Sequence, residues 1–494
     1  MPEDLSPGMM TPAAGRRRSR MDMLVLGGGV AGLSASLAFA RSGHHVVLLE
    51  RDGPPNGASP DEVFDRWDRP GIAHFRQPHN FLGLARDVLL EEAPDVLDAV
   101  VAAGGLENRQ YELIPGGWEP EDERLVSICA RRAVFEIALR RAVEAEPNVS
   151  MRVGTRVVGL LTAGTSRSDL PHVVGVRTGG GEEVRADLVA DALGRTSPVM
   201  SWLDPLTVRP PLERRSECGL LYYSRHFRCR PGLDVPAFPA LLRGPRGDLG
   251  YLAFAVFVED SRTFALVMMI PPWERELRAL RFEEAYMAAA SSMPSLAPWV
   301  HPDQSEPITP VLPMGRLQNL HRSLMVDRQP VVVGIQPIGD ALCHTNPSVA
   351  YGASLSVHHG FVLSRVAARA EDIGSIAAAF DDAVGEDVAA RFDAVSAEDR
   401  DRLRLWGGEP IDLRNPDDSM ALFLRMSVYP AAARDPQLFR AVARRVNLFD
   451  PPDAMQRDPE LIERARRMAV DAGPPPRTGP TRAELLETIS AARN

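Results

Sequence analysis

Three glycines and one acidic residue near the start of the chain have the spacing of a dinucleotide-binding turn. Gly27, Gly29 and Gly32 occupy the glycine positions of a G-x-G-x-x-G pattern, and Glu50 follows about twenty residues later. In such a turn the first glycine permits a tight bend, the second lets the backbone approach a pyrophosphate, and the third lets a helix pack against a strand. Glu50 could accept hydrogen bonds from ribose hydroxyls, so the pattern favours FAD or NAD over NADP, which carries a 2′-phosphate there.

The residues around this pattern predict the strand–helix–strand unit that would position it. An apolar run over residues 23–26 predicts a buried strand, and residues 30–39 predict the helix that follows the glycines. A second apolar run, 46–49, ends at the acidic residue. Free N–H groups and the positive dipole end at the start of a helix attract phosphate. The predicted cofactor site therefore includes Val30 and Ala31 at the helix start, and it also includes Arg51, next to the acidic residue.

Composition narrows the class of protein. The chain has 494 residues, of which 45% are hydrophobic and 25% charged, as is ordinary for a soluble globular protein. A net charge of −10 argues against nucleic acid as a main partner. The four cysteines show no C-x-x-C spacing, which predicts neither a metal site nor a disulfide framework and favours a reduced, cytoplasmic setting. The sequence contains no run of about eighteen apolar residues, so it predicts no membrane span.

A second stretch with the residue types of a cofactor site lies at residues 339–352, with the sequence GDALCHTNPSVAYG. It follows a predicted buried strand at 330–335 and leads into an apolar helix. Asp340, at such a turn, could hold the polyol of a cofactor, and the amides after it could face an electron-rich ring. A simple helix cap is the alternative role for this aspartate.

The two stretches, together with D-A-L-G-R from Asp191, resemble in order and spacing the FAD-dependent monooxygenases and oxidoreductases with a para-hydroxybenzoate-hydroxylase-like fold. In motif style the chain is most similar to the flavin-dependent epoxidases. The resemblance implies that the early glycines bind the FAD pyrophosphate and that Glu50 binds the adenosine ribose. It also implies that Arg132 lies along the phosphate and ribityl region, that Asp340 binds the ribityl chain, and that amides near Pro347 face the flavin ring. The implied cofactor set is Gly27, Gly29, Val30, Ala31, Gly32, Glu50, Arg51, Arg132, Asp191, Gly194, Asp340, Pro347, Gly352 and Ala353.

The chain departs from the family pattern at two places. The middle motif has Asp191-Ala192 where single-component aromatic hydroxylases usually carry Asp-Gly, and the flavin helix begins with Tyr351-Gly352-Ala353 instead of G-Q-G. The halogenase signature W-x-W-x-I-P is absent from the sequence. The sequence shows no second dinucleotide fingerprint. NAD(P)H would therefore bind this chain only transiently, or it would reduce FAD on a separate, partner flavin reductase.

The predicted fold class is α/β, with a Rossmann-like FAD-binding domain interleaved with an α+β substrate domain built on a β-sheet, plus C-terminal helices. Strand-like runs between residues 149 and 185 predict a small β-meander. The predicted organisation, in sequence numbers, is a disordered tail at 1–20, an FAD-binding domain at 21–75, 116–204 and 311–370, a substrate-binding domain at 76–115 and 205–310, and a helical region at 371–494.

Candidates on the substrate side come from an alternating strand. In LYYSRHFR, Tyr222, Ser224, His226 and Arg228 share one face, and Tyr223, Arg225 and Phe227 share the other. One of these faces is expected to look towards the flavin. The weak catalytic candidates are His79, Tyr222 and Arg225, and for each of them a structural role is at least as well supported as a catalytic one.

The family resemblance, together with the composition, implies a cytoplasmic FAD-dependent monooxygenase of secondary metabolite biosynthesis. It would hydroxylate or epoxidise an apolar natural-product intermediate with O2, and the family resemblance implies a flavin C4a-(hydro)peroxide. Electrons would come from NAD(P)H directly or through a partner reductase. Three alternatives stay open: a reductase or dehydrogenase of the geranylgeranyl-reductase type, a flavin halogenase, and a flavin-binding scaffold without catalysis.

Overall fold

The computed structural model describes residues 20–57, 59–163, 170–207, 209–238, 241–471 and 478–493. The tail predicted to be disordered lies, except for residue 20, outside the described residues. In the described part of the chain the strands are β1 (Asp22–Leu26), β2 (His45–Leu49), β3 (Asn80–Phe81), β4 (Leu106–Arg109), β5 (Val126–Cys129), β6 (Val149–Arg152), β7 (Val157–Ala163), β8 (His172–Thr178), β9 (Glu183–Arg185), β10 (Leu188–Asp191), β11 (Leu212–Glu217), β12 (Leu221–Cys229), β13 (Arg246–Asp248), β14 (Ala253–Val258), β15 (Thr263–Ile270), β16 (Ser305–Pro307), β17 (Leu312–Met314), β18 (Gln318–Ser323), β19 (Met325–Val326), β20 (Gln329–Pro330), β21 (Ile335–Pro337) and β22 (Cys343–His344).

The α-helices follow the same order. They are α1 (Val30–Arg41), α2 (Pro60–Arg66), α3 (Gly83–Glu92), α4 (Pro94–Ala102), α5 (Arg132–Ala145), α6 (Val199–Leu203), α7 (Glu283–Ser291), α8 (Ala297–Val300), α9 (Gly352–Arg369), α10 (Ile376–Trp406), α11 (Met420–Phe423), α12 (Tyr429–Ala432), α13 (Pro436–Val446), α14 (Pro459–Asp471) and α15 (Arg482–Arg493). None of the described helices combines the length and apolar character that a membrane span requires.

A parallel sheet with the order β21-β10-β1-β2-β6 forms the centre of the first layer. Strand β1 is central and its last four residues are buried, because it pairs with β2 on one side and β10 on the other. Helix α1 packs against α5 and α9, and this burial on several sides explains why it is apolar around most of its circumference. The predicted α/β class, with a Rossmann-like sheet, is confirmed.

Two sequence-based strand assignments are wrong in detail. Strand β6, expected in the β-meander, is the edge strand of the parallel sheet, and only β7, β8 and β9 form the antiparallel unit. The strand predicted at 330–335 begins at Ile335, because Gly334 adopts a φ of +80° and bends the chain before it. An apolar run alone does not show where such a bend falls.

An antiparallel sheet forms the second layer, with the order β13-β14-β15-β12-β16 and with β17 also paired to β12. One face packs on α7, α8 and α15, so the last helix of the chain completes this core. Thr481 and Glu484 cap that helix reciprocally: Thr481 N donates to Glu484 Oε2, and Glu484 N donates to Thr481 Oγ1. The other face carries Tyr222, Ala255 and Met269 and looks towards the C-terminal helices.

The C-terminal helices join the two sheets. Helix α10 packs against α9 and β18, while α11, α12 and α13 share an apolar cluster with Leu82 of the loop before α3 and Leu355 of α9. Their packing therefore depends on both layers. The predicted domain boundaries stay a prediction.

Candidate functional site

The glycine turn after β1 is closed by contacts that leave no room for side chains. Gly27 has a φ of +96°, and its N–H donates to Leu49 O at 2.8 Å. A Cβ on Gly27 would lie 2.6 Å from Ala192 O, and one on Gly32 would lie 1.8 Å from Gly27 O. The turn therefore fits between β10 and α1 only because these positions are glycine.

Glu50 lies at the tip of β2 and is held by the turn itself. Its Oε2 accepts from Gly28 N and its Oε1 accepts from Asp52 N, both at 2.7 Å. The Nη2 of Arg69 lies 3.3 Å from Oε2. A carboxylate can accept more than two hydrogen bonds, so Glu50 stays able to accept from a ribose diol while its position is fixed.

Arg132, the first residue of α5, points at the same turn. Its Nε donates to Glu136 Oε2 at 2.8 Å and its Nη1 donates to His74 Nε2 at 3.0 Å. A Cβ placed on Gly29 would lie 3.5 Å from Arg132 Nη2. The predicted arginine is therefore fixed by two partners, with one end of its guanidinium facing the glycine turn.

Arg69 is a second cation at this turn that the sequence analysis did not identify. Its Nη2 donates to Gly28 O at 3.2 Å and lies 2.8 Å from Glu136 Oε1. Its Nε and Nη1 are buried and have no hydrogen-bond partner among the described residues, although Nε lies 3.6 Å from Asp52 Oδ2, so the carboxylates of Glu50, Asp52 and Glu136 all lie close to this cation. Unused donors on a guanidinium beside a glycine turn fit the diphosphate of a dinucleotide. The loop that carries Arg69 has no motif, so the sequence held no signal for it.

The aspartate turn, about 300 residues further along the chain, lies beside the glycine turn. Strands β21, β10 and β1 are neighbours, and a Cβ on Gly339 would lie 2.6 Å from Ala31 Cβ. Asp340 Oδ2 accepts from His344 Nδ1 at 3.0 Å, and a Cβ on Gly352 would lie 3.2 Å from Asp340 Oδ1. The fold therefore brings the glycine turn, the aspartate turn and the start of α9 together.

Electrostatics around Asp340 favour its ionised form. Burial alone would raise the pKa of this carboxyl, but the neighbouring His344, His74 and Arg132 hold the pKa well below its usual range. A permanently ionised acceptor suits the hydroxyls of a polyol, each of which can donate a hydrogen bond.

Other predicted cofactor residues take local roles. The carboxylate of Asp191 accepts from Leu193 N at 3.1 Å and from Ser197 Oγ at 2.6 Å, so it is used within its own turn. Gly194 has a φ of +77° with open space around it, and Arg51 is exposed next to Asp52. Pro347 opens a short 3-10 turn, while Val30 and Ala31 begin α1, and Gly352 and Ala353 begin α9.

His359 supports the aspartate turn from α9. It is buried, and its Nδ1 accepts from Gly339 N at 3.3 Å, which requires that this nitrogen carry no proton. Burial, followed by the nearby His358 and Arg391, lowers the pKa of His359 to about 3.

This depressed pKa predicts acid sensitivity. An unfolded histidine titrates near pH 6.5, so the unfolded chain binds more protons than the folded one between about pH 3 and 6.5. The free energy of unfolding should therefore fall with falling pH in that window, by up to about 1.4 kcal/mol per pH unit from this residue. His359→Gln should flatten the slope measured by urea unfolding at several pH values, and the exposed His301→Gln should not. Parallel slopes for wild type and H359Q would contradict this role.

A large cavity of about 940 Å³ lies between the antiparallel sheet and the C-terminal helices. Its wall includes Tyr222, Val267 and Met269 of the sheet, Phe439 of α13, and the turn Pro347–Val349 that precedes α9. Its size falls within the range of small-molecule sites. The candidate cofactor turns and this cavity therefore meet at the 3-10 turn.

The alternation predicted for β12 separates its candidate residues. Tyr222 and Ser224 line the cavity. Arg225 points to the opposite face, where it donates to Thr309 O at 3.0 Å and pairs with Glu283. The structure therefore places Tyr222 at the cavity and Arg225 away from it.

His79 lies on the cofactor side. Its Nδ1 is 2.8 Å from Gln77 O, and its Nε2 is 3.5 Å from Arg132 Nη1. Burial, followed by the charge of Arg132, lowers the pKa of His79 to about 3, so its ring is neutral near pH 7. It is a buried neutral partner of the arginine that faces the glycine turn.

A buried polar cluster, which we call the turn clamp, fixes the 3-10 turn and consists of Tyr222, Asn319, Asn346, Asp399 and Arg402. The Tyr222 hydroxyl donates a hydrogen bond to Asn346 Oδ1, and Asn346 Nδ2 donates to Asp399 Oδ1 at 2.6 Å. Asn319 donates to Asp399 Oδ2 at 2.8 Å, and Arg402 pairs with the same carboxylate. Burial raises the pKa of Asp399 to about 6, which leaves it mainly ionised at pH 7. Sequence reasoning missed this cluster because its members come from four separate elements.

Comparisons with known proteins agree with this geometry. A family model described as FAD dependent oxidoreductase matches residues 22–197. Protein Rv3254 of Mycobacterium tuberculosis is 26% identical over 363 residues, which cover 67% of this chain and 70% of that protein.

Solved structures share the fold at low identity. A flavoprotein/dehydrogenase from Cytophaga hutchinsonii is 16% identical, with 92% of this chain and 100% of that chain covered and a TM-score of 0.61. The tetrameric form of 2-methyl-3-hydroxypyridine-5-carboxylic acid oxygenase is 14% identical, with 82% and 96% covered and a TM-score of 0.55. At these identities the likeness shows the fold alone.

Proposed function

We propose that this chain, which matches the FAD dependent oxidoreductase family model over residues 22–197 and has a para-hydroxybenzoate-hydroxylase-like fold, is a monooxygenase that hydroxylates or epoxidises an apolar small molecule. The observation that carries the proposal is the cavity of about 940 Å³ that borders the turn before α9. The co-substrates would be O2 and NAD(P)H, the latter used directly or through a partner reductase. We also propose that the small molecule is an intermediate of natural-product biosynthesis.

The residues of the chain would divide the binding of FAD among them. Gly29, Arg132 and Arg69 would contact the diphosphate, Glu50 the adenosine ribose, and Asp340 the ribityl hydroxyls. Bound FAD supplies the electron transfer to O2 that monooxygenation requires. The backbone amides at the start of α9 would stabilise negative charge on the ring edge, because a helix start is the positive end of its dipole.

The cavity would hold the substrate and exclude water. Apolar side chains from the sheet and from the C-terminal helices form most of its wall, among them Phe257, Met269 and Phe439. Exclusion of water protects reactive oxygen chemistry from hydrolysis and leaves positioning as the main task of the protein. No acidic catalyst on the cavity wall is needed for that task.

Two measurements test the proposed function. Purified protein should release FAD on denaturation, and with NAD(P)H, a flavin reductase and substrate it should form a product that carries an oxygen atom from labelled O2. Oxidation of NAD(P)H with reduction of the substrate and no O2 uptake would identify a reductase instead. A protein that takes up no FAD, or whose photoreduced flavin is inert to air and substrate, would contradict an oxygenase.

Asp340→Ala should weaken FAD binding by about ten- to a hundredfold, because it removes the ionised acceptor that we assign to the ribityl chain. Titration of deflavinated protein with FAD measures the effect. Asp303→Ala is the control, since that aspartate is 94% exposed and lies outside the candidate site. Equal FAD affinity in D340A and wild type would remove Asp340 from the site.

A further inference from the structure

Arg246 is a cation in the cavity wall for which the described residues supply no counter-charge. It is the first residue of β13 and lines the cavity. Within the part of the chain that the structure describes, no ion pair and no hydrogen bond of its guanidinium is found. Its guanidinium carbon lies 5.0 Å from the ring centroid of Phe257, on the same wall.

The other arginines of the wall have partners, in contrast to Arg246. The pairs are Arg425 Nη1 with Glu398 Oε1 at 2.5 Å, Arg445 Nε with Tyr429 Oη at 3.3 Å, and Arg482 Nε with Glu274 Oε1 at 2.9 Å. The remaining carboxylate of the wall, Asp248, accepts from Trp406 Nε1 at 2.8 Å. In the described residues, no protein anion neutralises Arg246.

The sheet register directs Arg246 towards the cavity. Arg246 is the cross-strand partner of Ala255, which lies on the cavity face of β14 together with Phe257. Burial, followed by the charge of Arg425, lowers the pKa of Arg246 to about 10, so its side chain keeps its charge near pH 7. Solvent in the cavity still reaches the side chain. Because no described residue uses the N–H donors of this cation, a ligand that brings an anion to this part of the cavity gains a charge-assisted contact.

Arg246 also lies far from the turn before α9. Arg246 pairs with Ala255, Ala255 with Val267, and Val267 with Ser224. Three strand spacings of about 4.8 Å therefore separate Arg246 from Ser224, roughly 14 Å in all. Tyr222, two residues from Ser224, contacts Asn346 directly before the turn.

We propose that the substrate of this cavity is amphipathic: an apolar body with an oxyanion, such as a carboxylate, that pairs with Arg246 at the end of the cavity remote from the 3-10 turn. The inference rests on the proposed function, because it takes the cavity as the substrate site. The oxyanion would orient the substrate so that its opposite, apolar end meets the turn. The apolar wall alone could not distinguish the two ends of such a molecule.

A matched pair of fluorescent probes tests this inference. Anilinonaphthalene sulfonate and phenylnaphthylamine share an apolar body and differ by the anionic sulfonate. In FAD-loaded protein, Arg246→Met should weaken binding of the sulfonate about tenfold or more and change binding of the neutral probe less than about twofold. Arg246→Lys, which keeps the charge, should bind the sulfonate within about threefold of wild type. Arg185→Met is the control, an exposed arginine on edge strand β9, and should alter neither affinity.

The outcomes separate this inference from the proposed function. Equal effects of Arg246→Met on both probes, no effect on either, or the same loss in Arg246→Lys as in Arg246→Met would overturn the oxyanion site. None of those results bears on FAD content or on the incorporation of oxygen from labelled O2, which test the oxygenase. The unchanged neutral probe also shows that the variant has folded with its cavity intact.

Discussion

Gly32→Val is expected to give a chain that binds no measurable FAD and unfolds more easily than wild type by at least about 3 kcal/mol. The reason is steric: a Cβ at this position would lie 1.8 Å from Gly27 O and 3.3 Å from Val25 Cγ1. Neither neighbour can withdraw, since Gly27 is fixed by its hydrogen bond to Leu49 O and Val25 is buried in the central strand. Helix α1 must therefore move away from β1, which opens the turn that we propose to bind the diphosphate.

Urea unfolding and the flavin absorbance of the purified protein measure the two effects. Gly53→Ala is the matched control, because a Cβ there meets no atom within 4 Å and the residue follows the same unit. That variant should keep wild-type FAD content and stability within about 0.5 kcal/mol. A yellow Gly32→Val protein of wild-type stability would show that the glycine turn does not have the geometry described.

The geometry of the glycine turn could be predicted from the sequence because its determinants are local. Gly27, Gly32 and Glu50 belong to one strand–helix–strand unit, and their spacing alone requires a close turn ending in an acidic residue. The turn that carries Asp340 could be predicted in the same way, since a polar turn between a buried strand and an apolar helix is visible in the sequence, and its role as an FAD ligand stays a prediction. That the two turns meet follows from the parallel order of β21, β10 and β1.

The placement of the other residues around the candidate site depends on contacts between segments that are distant in the sequence. Arg69 lies in a loop without a motif, and its position at the glycine turn is visible only once the loop folds back onto Gly28. Asp191 resembles a ligand in sequence, yet its carboxylate is used by Leu193 and Ser197. The alternation of side chains along β12 correctly placed Tyr222 and Arg225 on opposite faces of the sheet. No sequence pattern could show which of these faces borders the cavity.

The C-terminal helices carry no recognisable motif, yet through the turn clamp they hold the turn that borders both sites. Asp399 is the centre of the clamp, because each of its carboxylate oxygens accepts from an asparagine amide and Arg402 pairs with one of them. It is almost fully buried, at 1% exposure. Removal of one partner from a buried ion pair costs about 3–5 kcal/mol, because the other charge is left without compensation.

Asp399→Asn should therefore destabilise the chain by about 3 kcal/mol and loosen the turn before α9. The substituted amide has the same shape as the carboxylate but turns a donor towards the donor of Asn319 or Asn346, and it removes the main counter-charge of Arg402. Unfolding by urea measures the first effect. Loosening of the turn should appear as faster FAD release and as increased quenching of bound flavin fluorescence by iodide. A loss of overall stability alone would produce neither change under conditions in which the protein stays folded.

Two further variants make this test specific to the clamp. Asp393→Asn is the control on the same helix, since Asp393 is exposed and pairs with Arg214 at the surface, where an ion pair contributes at most about 1 kcal/mol. Adding Asn346→Asp to Asp399→Asn restores an acceptor opposite the new amide while keeping acceptors for the Tyr222 hydroxyl and Ser348 N, so part of the flavin retention should return. If Asp393→Asn and Asp399→Asn release FAD at the same rate, or if the double variant is no better than the single one, α10 does not position the turn through Asp399.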